Sequence, residues 1–203
     1  MILGYSHITS LLLAINARIQ LITFHGAVAT SNWNQFTVDY FPRLLFNAEE
    51  LTMENTSTNE GRRELITPGK AQGRLIGGNL SVVAAMVGSP YLPSWYHSIL
   101  CLEDIGEDIY RIDRMLTQFK NAGIINQISG WMFRQCTNCQ PSDQQSFTFM
   151  QILQQHIKPL NIPAWYGPMI GHIKHHKFTI PVGLEVEIDA DNGTIKMLES
   201  AVI

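Results

Sequence analysis

Four groups of residues in this chain are of types that do chemistry. The first is Glu103 followed by Asp104, which close a short apolar run at residues 99–102. A run this short, with a β-branched residue and no polar break, reads as a buried strand. Carboxylates at its C-terminal end, just ahead of a helix, stand where α/β proteins build their sites. The competing reading is that both acids cap the helix and face water. The second group is Gly4-Tyr5-Ser6. At a tight strand-to-helix turn such a serine exposes its hydroxyl, and nearby amides point at a developing oxyanion. Ile8 occupies the place of the second glycine in the full pattern, and a serine at such a turn also serves as a plain N-cap. The third group is His172, His175 and His176, interleaved with Lys174 and Lys177. With two lysines among them and no adjacent acid, they read as a solvated loop with one histidine available for chemistry. The fourth is the pair Cys136 and Cys139. A zinc site needs a second pair or suitably spaced histidines, so metal or redox function has little support there.

These groups need elements to hold them. Residues 1–8 read as the end of a strand, a turn and a helix start, with residues 1–3 too short for an independent strand and without parallel neighbours. A strand is predicted at 20–24, leading to His25-Gly26, and a helix at 38–48, broken near Pro42. Residues 52–72 are polar and read as a connector. The chain then divides into a segment 1–52 with the serine, a linker 53–72 and a domain 73–203. Gly77 and Gly78 allow a close backbone approach, and Asn79 suits the N-cap of a helix over 80–87. Asp108 is an N-cap signal for a helix whose apolar stripe is Ile109, Ile112, Leu116 and Phe119. A strand at 124–133, a helix at 144–157, a strand at 162–166 and a hairpin of 184–188 with 194–198 complete the reading.

The bulk numbers bound the function. A chain of 203 residues with 45% hydrophobic and 15% charged residues is of globular composition. Its net charge of -3 and absence of a basic patch argue against a nucleic-acid partner. No apolar run reaches the length of a membrane span. The apolar residues 11–15 follow no Lys or Arg, which speaks against a signal peptide and for the cytoplasm. Three cysteines make no disulfide framework.

Gly4-Tyr5-Ser6, His25-Gly26, residues 75–80 (Leu-Ile-Gly-Gly-Asn-Leu), residues 102–107 (Leu-Glu-Asp-Ile-Gly-Glu) with Tyr110-Arg111-Ile112-Asp113-Arg114, and Ile170-Gly171-His172 occur in this order. Together they resemble the LD-carboxypeptidases, or muramoyltetrapeptide carboxypeptidases, a group that includes the microcin-immunity peptidases. The resemblance runs over nearly the whole chain. It implies an α/β fold: part of a doubly wound N-terminal domain carrying the nucleophile elbow, and a smaller β-rich α/β C-terminal domain. It also implies a serine carboxypeptidase that removes the terminal D-amino acid from murein tetrapeptides in cell-wall recycling. Ser6 would be the nucleophile, His172 the general base and Glu103 the acid orienting the imidazole. The His7 backbone N–H would serve the oxyanion hole and Asn79 the substrate. Neither metal nor cofactor is implied; the partners are a murein peptide and a second copy in a homodimer, with no nucleic acid and no membrane.

Two departures from the family pattern stand out. His7 replaces the Asp that usually follows the nucleophile. The family's early strands and its Arg-Gly-Gly-Tyr-Gly loop, which helps form the oxyanion hole, have no counterpart, as if an N-terminal portion were missing. Loss of one oxyanion donor lowers a rate by about 10²–10³-fold. Two other readings stay open. One is an immunity-type amidase acting on an aminoacyl-nucleotide conjugate, which an aromatic wall from Trp95 or Trp165 would favour and the acidic Glu107 would not. The other is a truncated, non-catalytic homologue that still binds peptide.

Overall fold

The computed structural model describes residues 1–54, 63–134, 136, 138–139, 147–172 and 177–202. Its centre is four parallel strands, β5 (Lys70–Asn79), β6 (Ile99–Glu103), β7 (Gly130–Phe133) and β8 (Ala164–Tyr166), hydrogen-bonded in that order. The predicted strand at 99–102 is thus the second of a buried parallel set, extended to Glu103. Alternation explains its unbroken apolar run. Leu100 and Leu102 face a core formed with Val83, Ile112, Leu116, Phe119, Leu153 and Ile157. Those side chains come from α3 (Leu80–Met86), α4 (Ile109–Asn121) and α5 (Phe149–Ile157). Ile99 and Cys101 face the opposite core, with Phe24, Ile170 and Phe178. By the same period of two, Glu103 turns toward that second side.

Among the described residues this sheet has eight strands. The N-terminal half of β5 pairs antiparallel with β10 (Glu185–Asp189), which pairs with β11 (Thr194–Met197), and β11 with β3 (Thr52–Glu54). At the other edge β4 (Glu64–Thr67) pairs antiparallel with β8. A smaller sheet holds β1 (Leu3–Gly4) parallel to β2 (Thr23–His25), with β9 (Ile180–Val182) antiparallel on its far side. Helix α1 (Thr9–Ile19) follows β1, and α2 (Gln35–Leu45) follows β2. The fold is the mixed α/β one expected.

Several local readings shift. Residues 1–4 do have a parallel neighbour, since Leu3 and Gly4 register with Phe24 and His25. The polar stretch 53–72 carries strands: β3 and β4 are the two edges of the large sheet, and edge strands tolerate polar sequence that a central strand would not. Residues 55–62 lie outside the described residues. The strand expected from 124 begins only at Gly130. The apolar residues Ile124, Ile125 and Ile128 are buried in a loop that leaves α4 through Gly123 at φ 72°. Pro42 lies inside α2 without ending it. Helix α5 begins with a Thr148/Gln151 capping box. Asp108 is the N-cap residue of α4 but makes no side-chain cap bond; its carboxylate lies 3.4 Å from Arg111 Nε instead. The sulfurs of Cys136 and Cys139 are bonded to each other, their Cα atoms 5.4 Å apart, so the pair closes a local disulfide.

The β10–β11 hairpin turns through Asp189, whose carboxylate accepts from the Asn192 amide at 3.0 Å, from Asn192 Nδ2 at 2.9 Å and from Lys70 Nζ at 3.0 Å. The Asn192 bonds and then the lysine hold its pKa down at about 2, below the ordinary 3.8. A lowered folded-state pKa gives stability that is present above the unfolded value and lost as pH falls through the folded one. Asp189→Ala should therefore cost about 1–2 kcal/mol at neutral pH. In urea titrations the gap between parent and variant should close between pH 4 and pH 2.

Candidate active site

The parallel strands end side by side. Asn79 registers with Glu103, Arg134 follows β7 and donates its amide to the Leu102 carbonyl at 2.8 Å, and Gly167 follows β8. This is the crevice at which open α/β sheets bind ligands.

Ser6 reaches the same end from the smaller sheet. After β1, Tyr5 is extended, Ser6 takes a left-handed φ of 57°, and a 3-10 turn over Ser6–Ile8 runs into α1. A non-glycine residue in that region costs on the order of 1–3 kcal/mol and persists only where its surroundings enforce it. Gly4 is part of the enforcement, because a Cβ there would overlap the Ile8 side chain. Ile8 thus fills the turn where the full motif has glycine. The His7 side chain is exposed, while its amide belongs to the first turn, whose N–H groups have no acceptor within the helix. The turn is tied to the large sheet through Thr9, whose hydroxyl accepts the Asn79 amide at 3.1 Å. Gly78, at φ 137°, leaves room for that same side chain. The paired glycines thus admit protein rather than ligand: Gly77 gives way to the Cys101 carbonyl and Gly78 to Thr9.

Glu103 is fully buried. One of its oxygens lies 2.6 Å from His172 Nδ1, and the other accepts from Asn79 Nδ2 at 3.3 Å. Burial by itself raises the carboxyl pKa. The bond from His172, the charge interactions with His25 and His172, and then the Asn79 bond outweigh it and hold the group below its ordinary 4.5, so it is ionised at neutral pH and Nδ1 of His172 carries the proton it accepts. Room for this contact comes from Gly171, at φ 72°: a Cβ there would stand 2.5 Å from Glu103 Cγ and 2.6 Å from its carboxyl carbon and Oε2. Asp104 is buried too and braces the arrangement. It accepts from Asn79 Nδ2 at 3.0 Å, from the Ser81 amide at 2.9 Å and from its neighbour Ile105 at 2.9 Å; burial pushes its pKa up. Both acids are thus held inside rather than facing water. Asn79 is engaged at both ends, since its Oδ1 accepts from Val82 N and Ser81 Oγ while its amide nitrogen serves the two acids.

Three residues without an assigned role also converge here. His25 closes β2 beside Gly4, is fully buried, and lies with Nε2 3.9 Å from Glu103. Neither of its ring nitrogens has a hydrogen-bond partner among the described residues, and burial drives its pKa down. Its place next to the serine's strand was the available signal. Lys177 is only 8% exposed, with its ammonium 4.5 Å from the centroid of the Tyr5 ring. Tyr5 in turn meets the His172 ring edge-on at 5.2 Å, so the residue before Ser6 touches the histidine. Arg134 is buried at the end of β7.

Other expectations fall elsewhere. Trp95 and Trp165 belong to the two cores and form no wall in this crevice. Lys174, His175 and His176 lie outside the described residues. Among the described residues no group of His, Cys, Asp and Glu is arranged to hold a metal ion, and no helix is long and apolar enough to cross a membrane.

Comparison with known proteins gives these features a context. The chain is 33% identical over 194 residues to a Bacillus subtilis protein named "Probable murein peptide carboxypeptidase", covering 94% of this chain and 60% of that one. It spans about 60% of the length of the curated relatives it matches. The solved muramoyltetrapeptide carboxypeptidase from Oxalobacter formigenes superposes with a TM-score of 0.81 at 27% identity, over 96% of this chain and 66% of that one. The microcin C7 self-immunity protein MccF, solved with glutamyl sulfamoyl guanosine, superposes at 0.86 over all of this chain and 68% of its own; at 22% identity this likeness concerns the fold alone. The family profile for the LD-carboxypeptidase C-terminal domain matches residues 72–188, more than half of the sequence. On that match, and on the strand, glycine and histidine arrangement above, this chain belongs to the LD-carboxypeptidase family.

Proposed function

We propose that this chain is a serine peptidase of the LD-carboxypeptidase type that releases the terminal D-amino acid from murein tetrapeptides. The observation that carries this reading is the 2.6 Å contact between His172 Nδ1 and a fully buried Glu103. A serine hydroxyl is a weak nucleophile at its own pKa and needs a base to take its proton. Glu103 accepts from Nδ1–H and so fixes the tautomer that leaves Nε2 free for that work. Ser6 Oγ then attacks the scissile carbonyl as Nε2 takes its proton. The amide of His7, at the first turn of the Ser6–Ile8 helix, faces the oxyanion. The imidazolium returns the proton to the leaving amine, the D-amino acid departs, and water opens the acyl-enzyme by the same route. Asn79 contributes by holding Glu103 in place. Nothing in this sequence of steps calls for a metal or a cofactor. The murein-peptide names of relatives support the substrate class. The same reading makes the protein a cytoplasmic homodimer that meets soluble peptide in cell-wall recycling. The aminoacyl-nucleotide reading has less support: Trp95 and Trp165 are in the cores, and position 107, where a basic side chain would suit a phosphate better, is a glutamate.

Incubated with L-Ala-γ-D-Glu-diaminopimelate-D-Ala and a chelator, the chain should release D-alanine. Ser6→Ala should lower kcat by about 10⁴-fold or more. Absence of release by the folded parent would contradict the proposal and favour a non-catalytic peptide binder. Gly171→Ala forces the Glu103 carboxyl away from the new methyl. It should cost about 10²-fold in kcat, the scale set by an ångström of misplacement, with KM little changed.

A further inference from the structure

Lys177 is an anomaly by ordinary rules, because a buried charge is costly unless it is paired. It is 8% exposed, and among the described residues no carboxylate forms an ion pair with it; its ammonium rests on the face of Tyr5. Burial lowers its pKa, and the positive charge of Arg134 lowers it further. Glu103, the negative group that pulls the other way, is already committed to His172 and Asn79. Among the described residues Lys177 thus has no ion-pair carboxylate, and Glu103, the acid that acts on it, is in use. Such a place favours an incoming anion.

Its position says which anion. Tyr5, the residue before Ser6, touches both groups: the Lys177 ammonium lies over its ring, 4.5 Å from the centroid, and the His172 imidazole meets it in a T-shaped contact with centroids 5.2 Å apart. In the reaction proposed above, His172 must protonate the scissile nitrogen. The free α-carboxylate of a C-terminal residue is joined to that nitrogen through a single carbon, so it must lie close beside the imidazole. We propose that Lys177, seated on the Tyr5 ring, receives the free α-carboxylate of the leaving D-amino acid, and so makes the site select chain ends over internal bonds. This inference rests on the reading of the chain as a carboxypeptidase. Lys177 is then a specificity-determining residue. The cation–π contact holds it in place while no substrate is bound.

The test compares three tetrapeptides: the free acid, the D-alaninamide, and the acid with its diaminopimelate carboxylate amidated. The parent should process the free acid about 10- to 100-fold better in kcat/KM than the D-alaninamide, the range of one charge-assisted hydrogen bond. Lys177→Met should lose that preference, chiefly through a raised KM for the acid, while treating the D-alaninamide as the parent does. Lys177→Arg should retain part of it. Calorimetric binding to Ser6→Ala, with and without Lys177→Met, reads the same preference without turnover. Acid-selective binding that needs Lys177 upholds the inference even if no D-alanine is released. Turnover by the parent with equal handling of acid and D-alaninamide, or a preference that survives Lys177→Met, overturns the inference and leaves the carboxypeptidase reading intact. Loss of affinity only for the diaminopimelate amide assigns the lysine to that carboxylate and overturns it too. Neither turnover nor binding of any of the three peptides removes both.

Discussion

A carboxylate can be kept charged inside a protein only if partners replace the water it has lost, and Glu103 imposes that condition on its surroundings. It needs a donor on each oxygen, and the fold supplies His172 on one and Asn79 on the other. Asn79 can serve because β5 and β6 run parallel in register and bring it level with Glu103. His172 can serve because the residue before it is a glycine in a left-handed conformation. Asp104 holds Asn79 from behind, and its own second oxygen is taken by the Ser81 amide. Loss of any one of these groups leaves a charge or a polar atom buried without its partner, which makes the cluster cooperative.

The serine is bound to the cluster by backbone geometry rather than by proximity in sequence. Thr9, three residues beyond Ser6, accepts the amide of Asn79 and fills the space left by Gly78. Tyr5, one residue before, lies against His172. The strained turn is thus clamped from both sides onto the end of β5 and onto the imidazole. Rigid placement of this sort is what a nucleophile requires, since catalytic gain depends on reacting groups being held before substrate arrives.

The parts legible in the sequence were those set by local pattern. The apolar run at 99–102 announces a strand buried on both faces, and the acids after it fall at the strand's end. The stripe of Ile109, Ile112, Leu116 and Phe119 gives α4, and the alternation at 184–188 gives β10. The partnership of Glu103 with His172 spans 69 residues and has no local signature; only the resemblance of several motifs in order suggested it. The strands β3 and β4 have no strand signature because edge strands need no apolar alternation on both faces, so their polar sequence reads as loop. The apolar residues Ile124, Ile125 and Ile128 look like strand and are in fact loop, since apolarity reports burial and not conformation. His25 stands in sequence only as part of the His25-Gly26 motif, with no role attached, and Lys177 only as a lysine in a histidine-rich loop. Their significance is their burial, which arises when two separate sheets close on one crevice.

The most direct measurement is covalent labelling of Ser6 by a fluorophosphonate, followed by intact mass and peptide mapping, because it needs neither the natural substrate nor a choice between peptide and nucleotide conjugates. The account predicts one adduct per chain on Ser6, formed far more slowly in Glu103→Gln, where the imidazole loses the carboxylate that fixes its tautomer. No adduct on Ser6 of the folded chain, or labelling as fast without the Glu103 carboxylate as with it, would contradict the claim that the buried acid arms His172 to activate this serine.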